Sequence, residues 1–183
     1  MPHWQDKNPT EEQLKTLRSI KAIAVDIDGV MTDGGIIYGT SGMELKRFDC
    51  KDGLGVRLWL KAGFAFAIIT GRESVAVSER AQDFGLRYVY QKSKDKAEVL
   101  RRFSSDCGVP KEEICVIGDD IIDIPMMREA GLAVAVGDAS HEAKAAADLI
   151  TLKEGGRGAV REVIEYILKG QSLWEKVIAD YYA

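Results

Sequence analysis

With 183 residues, the chain is long enough to bury one substantial core and too short for two ordinary domains, so a single domain is expected over residues 1–183. Hydrophobic residues make up 46% and charged residues 30%, the balance of a folded globular chain rather than a disordered one. The formal net charge of −4 excludes broad electrostatic binding to nucleic acid, which needs a clustered basic surface, so an anionic ligand must be held by a local site.

The first 20 residues have neither the basic start nor the apolar core of a signal peptide, and no apolar run is long enough to span a bilayer. Cys50, Cys107 and Cys115 are odd in number and contain no C-x-x-C pair, which suggests neither a disulfide framework nor a zinc site. A reduced, cytoplasmic protein without membrane association is therefore expected. Within the N-terminal extension, about residues 1–18, Thr10 stands three residues before Gln13, a capping-box pattern for a short helix. No functional role is assigned to that extension.

The apolar run at 20–26 reads as the first strand and ends in Asp26-Ile27-Asp28-Gly29. Residues 35–48 then offer two short extended runs, Ile36–Tyr38 and Met43–Phe48, around Gly-Thr-Ser-Gly, which predicts an inserted β-hairpin. An isolated hairpin is marginal in water unless something covers it, and a partner subunit is one candidate cover. Helical spacing at 53–62 leads to a strand at 64–70 that ends in Thr70-Gly71-Arg72. A helix at 74–84 and a strand at 86–90 follow, then Lys92, Lys94 and Lys96 at the start of a helix over 94–107. The strand at 114–119 closes on Asp119, with Asp120 next and Asp123 three further on. A helix at 122–130, a strand at 132–136, a helix at 141–147 and a strand at 148–151 complete the alternation. After Gly155-Gly156-Arg157-Gly158 a helix runs to Gly170, and the last 13 residues could add one more. Continuous apolar strands alternating with helices specify a doubly wound α/β fold, with a parallel sheet covered on both faces.

In such a sheet, ligands bind outside the carboxyl ends of the strands. Asp26 and Asp28, Thr70 to Arg72, the lysines before the fourth helix, and Asp119 to Asp123 all fall on that rim. Crowded carboxylates repel one another unless a divalent cation sits among them, and hard Mg²⁺ takes a few carboxylate oxygens plus substrate phosphate. A hydroxyl, the backbone amides of a Gly-containing turn and an ammonium suit the remaining phosphate oxygens. The set describes phosphoryl transfer. Asp26 serves as nucleophile, forming an aspartyl phosphate, and Asp28 as general acid and then base. Each element also has an ordinary structural explanation, since D-x-D occurs in turns, Thr and Asp cap helices, and Lys96 could be a solvated charge at a helix start. Coincidence at one rim, in matching charge order, favours the functional reading.

These residues, with Lys96 and the runs Asp26–Gly34, Ile69–Arg72 and Gly118–Asp123, resemble the four motifs of the haloacid dehalogenase superfamily of phosphatases. The hairpin region, the stretch 90–96 and the tail from Gly155 look most like its branch acting on sugar acid phosphates, and the likeness runs from about Ile20 to Lys169. The resemblance implies Asp26 as nucleophile, Asp28 as acid/base, Thr70 and Lys96 as phosphate ligands, and Mg²⁺ held by Asp26, the backbone carbonyl of Asp28, and Asp119. Asp120 and Asp123 would support the metal shell and Lys96. It further implies a homo-oligomer, a tetramer with shared active sites, no large cap domain, and Arg157 as a contact for the substrate carboxylate. Gly71, Arg72 and Arg57 are further substrate-binding candidates. An eight-carbon sugar acid phosphate is the expected substrate and a nine-carbon one the alternative. A non-catalytic assembly protein retaining the fold is the alternative of another class. A signalling receiver domain combines similar residue types in a different chain order and has no use for Asp28.

Overall fold

The computed structural model describes residues 9–182; residues 1–8, within the N-terminal extension, and Ala183 lie outside the described residues. Helix α1 (Glu11–Ser19) leads into strand β1 (Ala22–Val25), after which β2 (Ile37–Tyr38) and β3 (Glu44–Leu45) form a short antiparallel hairpin. The chain then alternates through α2 (Cys50–Lys61), β4 (Ala65–Ile69), α3 (Val75–Phe84), β5 (Tyr88–Tyr90), α4 (Lys96–Cys107) and β6 (Ile114–Gly118). A 3₁₀ turn (Ile121–Asp123) runs into α5 (Ile124–Met127), followed by β7 (Leu132–Ala135), α6 (His141–Ala146), β8 (Leu149–Ile150), α7 (Ala159–Gly170) and α8 (Trp174–Ile178).

Six strands form one parallel sheet in the order β5-β4-β1-β6-β7-β8. Every residue of β1, β6 and β7 is buried, as continuous apolar strands must be when helices cover both faces. From β1 the chain winds outward through β4 to β5, then returns to the other side for β6, β7 and β8. The order therefore reverses at β1, and the loops leaving β1, β4 and β6 diverge to open a crevice at their carboxyl ends. Among the described residues no large cap domain stands over it.

The helices expected from periodicity are present, and capping residues decide their limits. Asp49 accepts a hydrogen bond from the Lys51 N–H at 2.6 Å and starts α2 three residues ahead of the expected Gly53. Asp95 caps α4 through the Glu98 N–H at 3.0 Å, so this helix begins at Lys96 rather than Lys94. The single helix expected over 122–130 is divided, because Asp120 and Asp123 form a capping box around the tight turn before α5. The second hairpin run is shorter than expected. Its ladder ends at Leu45, and Lys46 and Arg47 turn to the carboxylates of Asp28 and Asp33 instead.

The capping box of Thr10 and Gln13 starts α1 as expected. Leu17 is buried against the end of α7, where Gln171 donates to the carbonyls of Leu17 and Ile20 at 2.8 and 2.7 Å. This part of the extension therefore clasps the end of α7. Trp174 packs between Arg161 and Lys169, with ring-centroid distances of 5.1 and 5.3 Å, whereas Tyr181 and Tyr182 are exposed. The N-terminus of α7 follows Gly158, which has no side chain to cap it. Asp52 of α2 supplies the cap from outside, accepting from the N–H groups of Gly158 at 3.2 Å and Arg161 at 2.7 Å. Burial pushes its carboxyl up to about 6, against those hydrogen bonds. The segment from Gly155 to Gly158 is held against the loop after β1 by the Gly156 N–H, which donates to the Val30 carbonyl at 2.9 Å.

Candidate active site

Asp26 is the first residue beyond β1, and its backbone N–H still donates to Ile117 of β6 at 3.2 Å. The strand thus delivers a carboxylate, 3% exposed, to the centre of the crevice. Asp119 leaves the neighbouring β6, and Asp123 returns from the capped turn that follows. One carboxylate oxygen from each of Asp26, Asp119 and Asp123 lies within 4.8 Å of the others. Lys96, at the first position of α4, reaches in with its ammonium 3.0 Å from Asp26 Oδ1 and 2.6 Å from Asp123 Oδ1. Asp123 Oδ2 accepts from the N–H groups of Asp119 and Asp120 at 2.9 and 3.4 Å. Asp123 is thus the strut that holds both the lysine and the loop carrying Asp119.

Three carboxylates face one lysine, and the electrostatics register the imbalance. Burial and then Asp123 push Asp26 up to about 6, against the opposing pull of Lys96. Burial, then Asp123 and Asp26, push Asp119 up to about 8. Burial works against the charge on Lys96, but Asp26 and Asp123 outweigh it and hold its pKa above that of a free lysine. Asp26 Oδ1 is buried without a well-directed hydrogen bond, although the lysine charge is near. All-oxygen donors, excess negative charge and an unsatisfied buried oxygen fit a hard divalent cation. Close approach here requires glycine. Gly29 has φ of +92°, and a Cβ there would lie 2.1 Å from Asp119 Oδ2.

This imbalance gives a prediction for the metal-free protein. Raised carboxyl pKa values mean that the folded state binds more protons than the unfolded state, so stability is greatest at low pH and is lost as pH rises through about 6 and about 8. Without divalent cation, the melting temperature is expected to fall between pH 5 and pH 8.5. Added Mg²⁺ should raise it more at the higher pH, where no proton has to be displaced, a hundredfold excess over Kd being worth about 2.7 kcal/mol of stability. A melting temperature independent of pH and Mg²⁺ would remove the cluster as a cation site.

The remaining rim residues divide into three groups. Thr70 is buried beyond β4, and its loop is braced twice, by its N–H to the Tyr90 carbonyl at 2.9 Å and by the Ser93 N–H to its own carbonyl at 3.0 Å. The Thr70 hydroxyl makes no hydrogen bond to a described residue and remains available to a ligand, beside the amide of Gly71. Asp28 turns away from the acid cluster toward the hairpin, where its Oδ1 pairs with Lys46 and its Oδ2 lies 3.7 Å from Arg72 Nε. Arg72 donates to Glu44 Oε2 at 2.6 Å. That guanidinium, against the cost of burial and with help from Lys46, holds the Glu44 carboxyl down to about 2.

Arg157 sits 3.7 Å from Asp33 Oδ2, on the loop that carries Asp26 and Asp28. Gly155 allows that contact, because a Cβ there would lie 1.7 Å from the Gly29 carbonyl oxygen. Asp120 is turned aside, accepting from the Ile121 N–H at 2.8 Å as part of its capping box. Arg57 lies apart. Its guanidinium donates to the Asp83 carbonyl at 3.5 Å, near the end of α3 farthest from the rim, and it forms no contact with the rim side chains among the described residues.

Lys46 and Glu44 are the site residues that sequence reasoning passed over. A signal existed. In an extended run, residues two apart share a face, so the charges of Glu44 and Lys46 project to the same side of the hairpin.

Comparison with known proteins places this geometry. A family profile described as haloacid dehalogenase-like hydrolase matches residues 85–164. The 3-deoxy-D-manno-octulosonate 8-phosphate phosphatase KdsC of Yersinia pestis is 38% identical over 165 residues, covering 90% of this chain and 88% of that protein. Its counterpart in Escherichia coli K12 is 39% identical over 153 residues, 84% of this chain and 81% of the relative. The crystal structure of the Moraxella catarrhalis 3-deoxy-D-manno-octulosonate 8-phosphate phosphatase, in complex with magnesium, phosphate and KDO, superposes with a TM-score of 0.90 at 39% identity. The match covers 94% of this chain and 99% of that one.

Proposed function

The chain belongs to the haloacid dehalogenase-like hydrolases, in the family of the 3-deoxy-D-manno-octulosonate 8-phosphate phosphatases, and from that membership we propose the following division of labour among its residues. The enzyme hydrolyses 3-deoxy-D-manno-octulosonate 8-phosphate (Kdo 8-phosphate) to Kdo and inorganic phosphate, a step in lipopolysaccharide precursor synthesis. The observation that carries the reading is the buried group of Asp26, Asp119, Asp123 and Lys96 at the point where the strand order reverses.

Asp26 attacks phosphorus, the bond from phosphorus to the sugar C8 oxygen breaks, and Asp28 passes a proton to that oxygen. Water then attacks the phosphoaspartate, its proton returns to Asp28, and Asp26 is freed with release of phosphate. Thr70, the Gly71 amide and Lys96 hold the non-bridging phosphate oxygens during both displacements. Mg²⁺ would be held by Asp26, the backbone carbonyl of Asp28 and Asp119, and when bound it neutralises phosphate charge that would otherwise repel the nucleophile. Asp123 acts by fixing Lys96 and the Asp119 loop, and Asp120 by closing the turn. Arg72, beside Asp28, and Arg157, beside Asp33, bind the carboxylate of the sugar acid, whereas Arg57 is held at the end of α3 away from the rim.

The test is Mg²⁺-dependent phosphate release from Kdo 8-phosphate, Kdn 9-phosphate, sialic acid 9-phosphate and simple hexose phosphates. A preference in kcat/KM for Kdo 8-phosphate is expected. Preference for a nine-carbon acid would keep the mechanism and change the substrate, and no release from any of them would leave a non-catalytic assembly protein.

The hairpin supports an oligomer, and the resemblance to the family makes it a tetramer. Ile37 and Tyr38 are 52% and 67% exposed, and Ile36, Met43 and Leu45 are exposed as well, on an element too small to stand alone. Light scattering at micromolar concentration is expected to give four times the chain mass. A monomer would count against both the tetramer and a shared-site role for Arg157. The three free cysteines fit a reduced, cytoplasmic setting, and among the described residues no helix is long and apolar enough to cross a membrane.

A further inference from the structure

Lys46 presents a problem that the phosphate site does not solve. Its side chain is only 1% exposed, yet it lies on a two-stranded hairpin whose apolar residues face outward. Enclosing an ammonium is costly, and a well-packed apolar residue of similar length would be as stable or more so. What the charge provides must therefore be sought in its contacts. Lys46 pairs with Asp28 Oδ1 and lies 3.2 Å from Glu44 Oε1; Glu44 Oε2 accepts from Arg72, whose Nε returns to Asp28 Oδ2 at 3.7 Å. Four charges of alternating sign close a ring. One comes from the loop after β1, one from the loop after β4, and two from the hairpin.

Resting on the acid/base assignment of Asp28 made above, we propose that Lys46 is a positioning residue for that carboxylate, with Glu44 and Arg72 holding Lys46 in place. The hairpin thereby acts on the chemistry of its own subunit, apart from any role in assembly. Asp28 needs this support because a short carboxylate on a loop can rotate toward the neighbouring cations of the phosphate site. Proton transfer to the leaving oxygen then depends on one rotamer, and a displacement of about 1 Å costs on the order of a hundredfold in rate. Among the described residues the other cation near Asp28 is Arg72, a flexible side chain that is 42% exposed, so the buried Lys46 is what fixes the geometry. Lys46 keeps its proton throughout. It donates hydrogen bonds to Asp28 and takes no part in bond making.

The experiment is a double-mutant cycle on the full-length enzyme with its substrate and Mg²⁺. Lys46→Met is expected to lower kcat by roughly a hundredfold with KM changed less than about threefold, because the contact is with the acid/base group and not with substrate. Lys46→Arg should recover most of the loss, and Glu44→Gln should give a smaller loss of the same kind. In an Asp28→Asn background, Lys46→Met should have little further effect, since the group through which it acts has gone. A merely structural role would instead make the two losses multiply, and that result, or an unchanged kcat in Lys46→Met, overturns the proposal. If Lys46→Met does not fold, Glu44→Gln carries the same cycle with the same two outcomes. Asp28→Asn alone separates the levels. Unchanged turnover in that variant removes the acid/base assignment itself, whereas lowered turnover with Lys46→Met at wild-type rate removes only the inference about Lys46.

Discussion

Asp26→Asn is expected to abolish phosphate release, with a loss on the order of 10⁴-fold or more, while leaving the fold intact. The asparagine keeps the shape of the side chain, and the strand that carries it is fixed by pairing with β4 on one side and β6 on the other. What disappears is the nucleophilic oxygen, for which no other group at the site substitutes. Asp123 is engaged with Lys96 and two backbone amides, and Asp119 is crowded against Gly29. The same substitution relieves repulsion, because the folded state already favours a neutral Asp26. The metal-free variant should therefore melt no lower than the wild type at pH 8, which distinguishes loss of chemistry from loss of structure. Turnover near the wild-type rate would move the nucleophile elsewhere and dismantle the proposed mechanism.

Lys96→Met should damage both activity and stability. Among the described residues its ammonium is the one positive group in contact with two carboxylates that are almost wholly enclosed, at 3.0 and 2.6 Å. Removing one partner of a buried ion pair leaves uncompensated charge, at a cost of about 3–5 kcal/mol, so a marked drop in melting temperature is expected in the metal-free protein. Mg²⁺ should restore part of that stability by supplying positive charge, yet turnover should stay low, since the proposed contact with the phosphate is gone and Asp123 no longer has its partner. Thermal melting with and without Mg²⁺, beside a rate measurement, reads both effects. A variant that melts with the wild type and turns over normally would make Lys96 a bystander.

Several features of this protein could be read from its residues alone because they depend on local chemistry. Apolar runs alternating with helical spacing specify a two-sided parallel sheet, and the positions of Asp26, Thr70 and Asp119 immediately after such runs place them at one rim. The capping box at Thr10 was legible for the same reason, since both of its groups lie within one turn. The helix limits at Asp49 and Asp95 were less so. An acidic residue before a helix is ambiguous until its side chain is seen to accept a particular backbone N–H.

Other features rest on pairs far apart in the chain. Asp120 and Asp123 look alike in sequence, yet one closes a turn while the other joins the acid cluster and holds Lys96. Arg157 was the leading candidate for the substrate carboxylate and Arg57 and Arg72 further ones, and only packing sets Arg57 against α3, Arg72 against Glu44, and Arg157 beside Asp33. Lys46 carried no signal of its own in the sequence, because only the fold encloses it against Asp28. The sheet, its rim and the chemical type of the residues gathered there follow from local chemistry, because strand burial and helix start signals act over a few residues. The tertiary structure alone decided which like-charged side chains meet, because electrostatic partnership depends on distances and burial that exist only once remote loops have converged.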